Sequence, residues 1–221
     1  MVDVEDRATS VEEYQNPDPF RSRIVQNHYF KYAGIGSRTA GYNIVEILKR
    51  IAYYLYEKGY TLASGGAARS DAAFESQAGT RKEIYIPWNG YNKRYSSEEG
   101  VFLPSPETIE KATEIARKFH PRFDYLSEAA KLLMIRNGYQ ILGRNLDTPV
   151  DFVVCYTSDG CESALTRTIL TGGTGQAISI AYNYNVPIFN IFNPESAYKL
   201  KELLDSRENT FDGNETLPKN T

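Results

Sequence analysis

The chain has 221 residues but only two cysteines, two histidines, two methionines and one tryptophan. Cys155 and Cys161 cannot build the disulfide framework of a small secreted domain, so a reducing cytoplasm is the expected setting. The two thiols with His28 and His120 are too few and too scattered for a zinc centre, and no metal is expected. No run approaches the roughly 20 apolar residues that a membrane-spanning helix needs. The opening stretch, MVDVEDRATSVEEY, is acidic and polar where a secretion signal would carry an apolar centre. A net charge of -3 provides no global basic field to advertise nucleic-acid binding, although a local basic patch stays open.

The composition, 41% hydrophobic and 24% charged, is that of a globular domain. Its length suits one sizeable core rather than two. Tyrosine is plentiful at 17 residues, and packing is its commoner use, with ligand stacking as the alternative.

Residues 1–27 are polar, carry NPDPF, and are expected as an N-terminal arm, either disordered or packed on a partner subunit. From residue 28 the pattern sharpens. YFKYAGIGSR reads as a strand leaving through Gly34 and Gly36, and Ile44, Ile47, Leu48, Ile51 and Leu55 then recur at helical spacing. YTLAS predicts a second strand, EIYIP at 83–87 a third, DFVVCYT at 151–157 a fourth and VPIFNIF a fifth. Between the third and fourth, about 88–150 reads as an insertion. It begins with a long loop, WNGYNKRYSSEEGVFLP, followed by one helix opening at Ser105-Pro106-Glu107 and another over about Ser127–Leu142. A last helix runs from about Pro194 to Leu204, and 206–221 is expected to be a disordered tail beyond a domain of 28–205. Strands alternating with helices predict an α/β fold: a doubly wound parallel sheet of about five strands with a helical insertion.

Three glycine turns follow strands, where such sheets bind ligands. In the first, Gly34 and Gly36 precede Ser37 and Arg38 at a helix start, which suits either a tight turn or a bound phosphate. In the second, SGGAARSD, Ser64, Gly65 and Gly66 repeat the arrangement. Asp71 there can cap the helix or accept from a sugar hydroxyl. Glu75 lies one turn on, and the two carboxylates are the candidates for acid–base work. The third, Thr171 to Gln176, holds Gly172, Gly173, Thr174 and Gly175 in what reads as an anion nest. It is neither a Walker loop nor a dinucleotide fingerprint. Three such turns at one sheet edge favour a phosphate-bearing ligand. Trp88, Tyr91 and Tyr95 follow the third strand near the same edge, where a ring can stack on a base or pack the helices onto the sheet. Trp88 is taken for stacking and Tyr95 for packing, and Arg144, Asn145 and Asp159 are candidates for the rim.

GIGSR followed by ASGGAARSDAAFE, then PVDFVVCYTSDG and GGTGQAISIAYNYNVPIFNI, resembles the DNA-processing protein A family and the wider SLOG superfamily of Rossmann-like nucleotide binders. The likeness is to its phage and bacterial branch and covers about residues 29–193. It implies that Gly36, Ser37, Arg38, Gly65, Gly66 and the Gly172–Gly175 turn surround a phosphate. The departures are Ser70, where the family has glycine, and the absence of a winged-helix module. Ser179 stands where the related LOG-type nucleotide phosphoribohydrolases carry a glutamate needed for cleavage. The expected function is binding of a nucleotide or nucleotide-derived molecule, as a sensor or sequestering protein with no required cofactor. The alternatives are N-glycosidic hydrolysis through Glu75 or Asp71, and single-stranded DNA handling. A homo-oligomer, most simply a dimer, is expected, because the related families commonly pair beside the nucleotide site.

Overall fold

Residues 31–36, KYAGIG, feed two hydrophobic cores at once. Tyr32 enters the core that holds Leu48, Phe74 and Phe152, while Ala33 and Ile35 enter the one that holds Ile115, Tyr139 and Ile178. A strand apolar on both sides needs helices on both faces, the condition of a parallel sheet. The computed structural model describes the backbone of residues 30–211 and side chains as far as 206. The arm at 1–27 and the tail from 212 lie outside the described residues.

The strands are β1 (Lys31–Gly36), β2 (Thr61–Ser64), β3 (Lys82–Tyr85), β4 (Val101–Phe102), β5 (Phe152–Tyr156) and β6 (Ile188–Asn190). They form one parallel sheet in the order β4-β3-β2-β1-β5-β6. The helices are α1 (Tyr42–Glu57), α2 (Ser70–Glu75), α3 (Ile109–Phe119), α4 (Glu128–Leu142), α5 (Thr174–Asn183) and α6 (Pro194–Phe211). The chain travels one way across the sheet from β1 to β4 and the other way from β5 to β6. Because crossovers keep one hand, that reversal moves the helices to the opposite face. Residues of α1, α2 and α6 share the core of Tyr32, and residues of α3, α4 and α5 share the core of Ile35. The architecture is the expected doubly wound α/β fold.

Three expectations are corrected. Six strands form the sheet rather than five: Val101–Phe102, read as loop, pairs with β3. Residues 88–150, the segment read as an insertion, hold β4, α3 and α4, and the two helices supply much of one helical layer. Such a layer is indispensable, because without it Ile35, Val153 and Cys155 would face water. The helix read from Ser105 begins at Ile109, with Ser105 Oγ held against the Thr108 hydroxyl at 3.0 Å in the preceding turn. The final helix continues through Phe211, past the boundary at 205. Ser127 caps α4, accepting from the Ala130 amide at 3.3 Å. Among the described residues, no helix is long and apolar enough to cross a membrane.

Candidate functional site

Where β1 and β5 lie side by side, the chain switches direction, and a crevice opens at the strands' carboxyl ends. It holds a cavity of about 250 Å³. The first wall is the exit of β1, from Gly36 to Thr39. A β-carbon on Gly36 would stand 2.8 Å from both Ser70 Cβ and the Tyr156 carbonyl, so glycine lets three segments meet. The Ser37 amide donates to the Tyr156 carbonyl at 2.9 Å, and Ser70 Oγ donates to the Ser37 carbonyl at 2.9 Å. Ser70 thus fastens the first turn to the second.

The second wall is Ala67 and Asp71, behind the doubled glycine. Gly66 needs its residue type because φ is +61° there. Gly65 needs it for another reason: the Arg136 guanidinium fills the space of a β-carbon. Asp71 is buried. Its Oδ2 accepts from the Ala67 amide at 3.2 Å and lies 3.7 Å from Arg136 Nη1. Burial pushes the Asp71 carboxyl above its usual range, opposed by Arg136 and by the amides of Ala67, Gly65 and Gly36.

The third wall comes from α4 and the turn before α5. Leu133, Met134, Arg136, Asn137 and Gln140 face Thr171, Gly172, Gly173 and Thr174. Asn137 Nδ2 donates to Gln176 Oε1 at 2.8 Å and to the Gly173 carbonyl at 3.4 Å, binding turn to helix. Arg136 is buried, and among the described residues its Nε has no hydrogen-bond partner. Burial lowers its hold on its proton, Asp71 works against that, and the like charge of Arg38 adds to the lowering. Two guanidinium groups therefore act on one cavity, with Asp71 its sole carboxylate among the described residues. That imbalance suits an anion.

Of the residues singled out in the sequence, the cavity gathers Gly36, Ser37, Arg38, Asp71, Gly172, Gly173 and Thr174. The others serve elsewhere. Gly34 leaves room for Phe74 and Leu62 in the core, and Ser64 donates to the Gly34 carbonyl at 2.6 Å. Gly65 and Gly66 lie behind the wall. Gly175 abuts Arg167, and Gln176 is buried against Asn137 and the Ala116 carbonyl. Glu75 is engaged by Arg94 and Lys82, away from the lining. Trp88 packs edge-on against Tyr91, with ring centroids 5.4 Å apart. Arg144 lies 4.2 Å over the Phe102 ring, and the Asn145 carbonyl accepts from Lys111. Both follow the end of α4, which returns to the start of β5, where the Val150 amide donates to the Ile141 carbonyl at 2.8 Å. Asp159 accepts from the hydroxyls of Thr168 and Thr171, holding the loop rather than facing the cavity. Ser179 is buried, its hydroxyl donating to the Gly175 carbonyl at 2.8 Å. No cluster of three or more potential metal ligands occurs among the described residues.

Tyr91, one of the three aromatics read in the loop after the third strand, also lines the cavity. Arg136, Asn137 and Gln140 are among the lining residues that sequence reasoning missed. A signal existed for these three. MIRNGYQIL puts an arginine and an amide side by side and a second amide one turn on in an otherwise apolar stretch, and buried arginine is rare without a partner or task.

A solved structure shares this fold. It is DNA processing protein A from Helicobacter pylori, described for its unique single-stranded DNA binding mode, with a TM-score of 0.50 and 18% identity over 73% of this chain. The chain spans 65% of the length of that protein's chain. At such identity the likeness establishes fold alone. No protein-family model and no curated protein matches the sequence.

Proposed function

We propose that the chain binds a phosphate-bearing, nucleotide-type molecule in the switch-point cavity and acts as a sensor or sequestering protein. The observation that carries this reading is the pairing of Arg38 and Arg136 at one cavity, with a buried Nε unpartnered among the described residues. A phosphate among Ser37, Arg38, Arg136 and the Gly172–Thr174 turn offsets the positive charge that Arg38 and Arg136 hold in excess of the single Asp71. The volume of about 250 Å³ lies near the lower end of small-ligand sites, roughly 300–1,000 Å³, and suits a ligand of mononucleotide size. Binding without turnover is favoured because Glu75 is engaged elsewhere, Asp71 is held by loop amides and Arg136, and Ser179 carries no acid. A homo-oligomer around this site remains part of the proposal.

Calorimetry with nucleoside 5′-monophosphates tests it. Arg38→Ala removes a charge-assisted contact of about 1.5–3 kcal/mol, roughly ten- to hundredfold in affinity. Gly173→Val is expected to be worse, placing a side chain in the anion's space. Unchanged affinity in both variants would remove this site from consideration.

A second reading has the fold likeness behind it. The phosphodiester of single-stranded DNA presents the same chemistry to Arg38 and Arg136. Exposed Arg69 and Lys93 lie on the neighbouring loops. An oligothymidylate titration at two salt concentrations separates the two: a strand spanning several phosphates loses affinity steeply with salt, a mononucleotide much less.

A further inference from the structure

A phosphate site says nothing of what the rest of the ligand touches, and among the described residues the cavity offers one aromatic side chain for that purpose. Tyr91 lines it, with Ala67 and Arg136 among its neighbours in the wall. The residue sits in a turn whose backbone is unusual. Gly90, Asn92 and Lys93 have φ of +88°, +47° and +63°, conformations that non-glycine residues adopt at a cost. Three separate contacts hold that turn in place. Asn92 Nδ2 donates to the Gly66 carbonyl at 2.8 Å, which fastens the turn to the doubled glycine. Arg94 Nε donates to Glu75 at 2.8 Å, so the carboxylate with no place in the cavity anchors the turn instead. Trp88 supports the Tyr91 ring edge-on, at an interplanar angle of 82°. Arg136 lies 6.0 Å from the Tyr91 ring centroid, which places the aromatic face beside the cation of the anion site.

We infer that Tyr91 is the base-stacking residue of this site, and that Trp88 serves it from behind rather than stacking itself. The inference rests on the nucleotide reading above and adds to it the recognition of the base. The strain at Asn92 and Lys93 then has a use: it turns Tyr91 towards the cavity, where a plain extended loop would not. Stacking accepts any base, because every base has a π-face, so Tyr91 selects nucleotides over sugar phosphates without choosing among bases.

The experiment compares the four ribonucleoside 5′-monophosphates with ribose 5-phosphate, which carries the same phosphate and no base. Binding is read by calorimetry and by fluorescence of Trp88, the chain's single tryptophan. Tyr91→Ala is expected to weaken the nucleotides by about tenfold or more while ribose 5-phosphate changes less than about twofold. Tyr91→Phe keeps the ring and is expected to bind nucleotides within about threefold of the unmodified chain. Nucleotide addition should shift Trp88 emission, and ribose 5-phosphate should not. Tyr91→Ala binding nucleotides as the unmodified chain does, or losing both ligands equally, overturns this inference and leaves the phosphate site standing. An unmodified chain that binds neither ligand overturns the nucleotide reading and this inference together.

Discussion

The guanidinium of Arg136 occupies the space that a β-carbon on residue 65 would need. The doubled glycine therefore has two unrelated causes, side-chain exclusion at Gly65 and a positive φ at Gly66. Neither requires a ligand to touch the glycines themselves. What the pair secures is a buried arginine, and through it the charge of the cavity.

Replacing Gly65 with alanine should expel that guanidinium. Overpacking of a filled site costs about 1–3 kcal/mol, and the displaced Arg136 would also leave Asp71 without its partner. Gly41→Ala is the control, because a β-carbon there meets nothing within 4 Å, and its expected cost is at most about 1 kcal/mol. Urea unfolding of the two variants checks the ranking. Equal stability would mean that Arg136 has another place to go.

The Asp71–Arg136 pair lends itself to a double-mutant cycle. Removing one partner of a buried pair leaves an uncompensated charge and costs about 3–5 kcal/mol, while removing both can approach neutrality. Arg136→Met is expected to be strongly destabilising, and adding Asp71→Asn to recover a good part of the loss. Additive effects would show that the two charges do not interact.

Much of the fold was legible because parallel strands announce themselves as short apolar runs between glycine turns, and β1, β2, β3 and β5 follow that rule. The strand of Val101 and Phe102 has too few residues to carry a period, and only its pairing with β3 makes it a strand. In the site, Ser37, Arg38 and the Gly172–Thr174 turn were visible, since backbone turns at strand ends are written locally in glycine. Tyr91 was visible only as one of three aromatics in the loop after β3, and Arg136 only as a cation in an apolar stretch of α4. Each reaches the cavity from a segment distant in sequence, and its place there depends on Gly65 or Gly66, contacts that no local pattern records.

Catalysis makes a further test. N-glycosidic cleavage needs a carboxylate free to meet the sugar or the leaving base. Asp71 accepts from loop amides and faces Arg136, and Glu75 is engaged by Arg94 and Lys82. Overnight incubation with nucleoside 5′-monophosphates should therefore return them intact by chromatography. Steady release of free base, lost in Asp71→Asn, would overturn the binding reading in favour of a hydrolase.

Acid should loosen the loop that carries the third turn. Burial raises the Asp159 carboxyl, but hydroxyls of Thr168, Thr171 and Thr157 and the Cys161 amide outweigh it and bring the pKa from 3.8 to about 2. A carboxyl depressed by folding contributes stability that is full above 3.8 and lost as pH falls through about 2. Asp71 runs the other way, since its raised pKa makes protonation favour the folded state. The comparison must therefore be Asp159→Asn against the unmodified chain, in which the Asp71 contribution cancels. The variant should be less stable at pH 7, with the gap narrowing between about pH 4 and pH 2 and closing below. Thr171 lines the cavity and donates to Asp159, so the same variant should also bind nucleotide more weakly at pH 7. A stability gap that stays constant from pH 7 to pH 2 would show that the Asp159 charge is not what holds this loop.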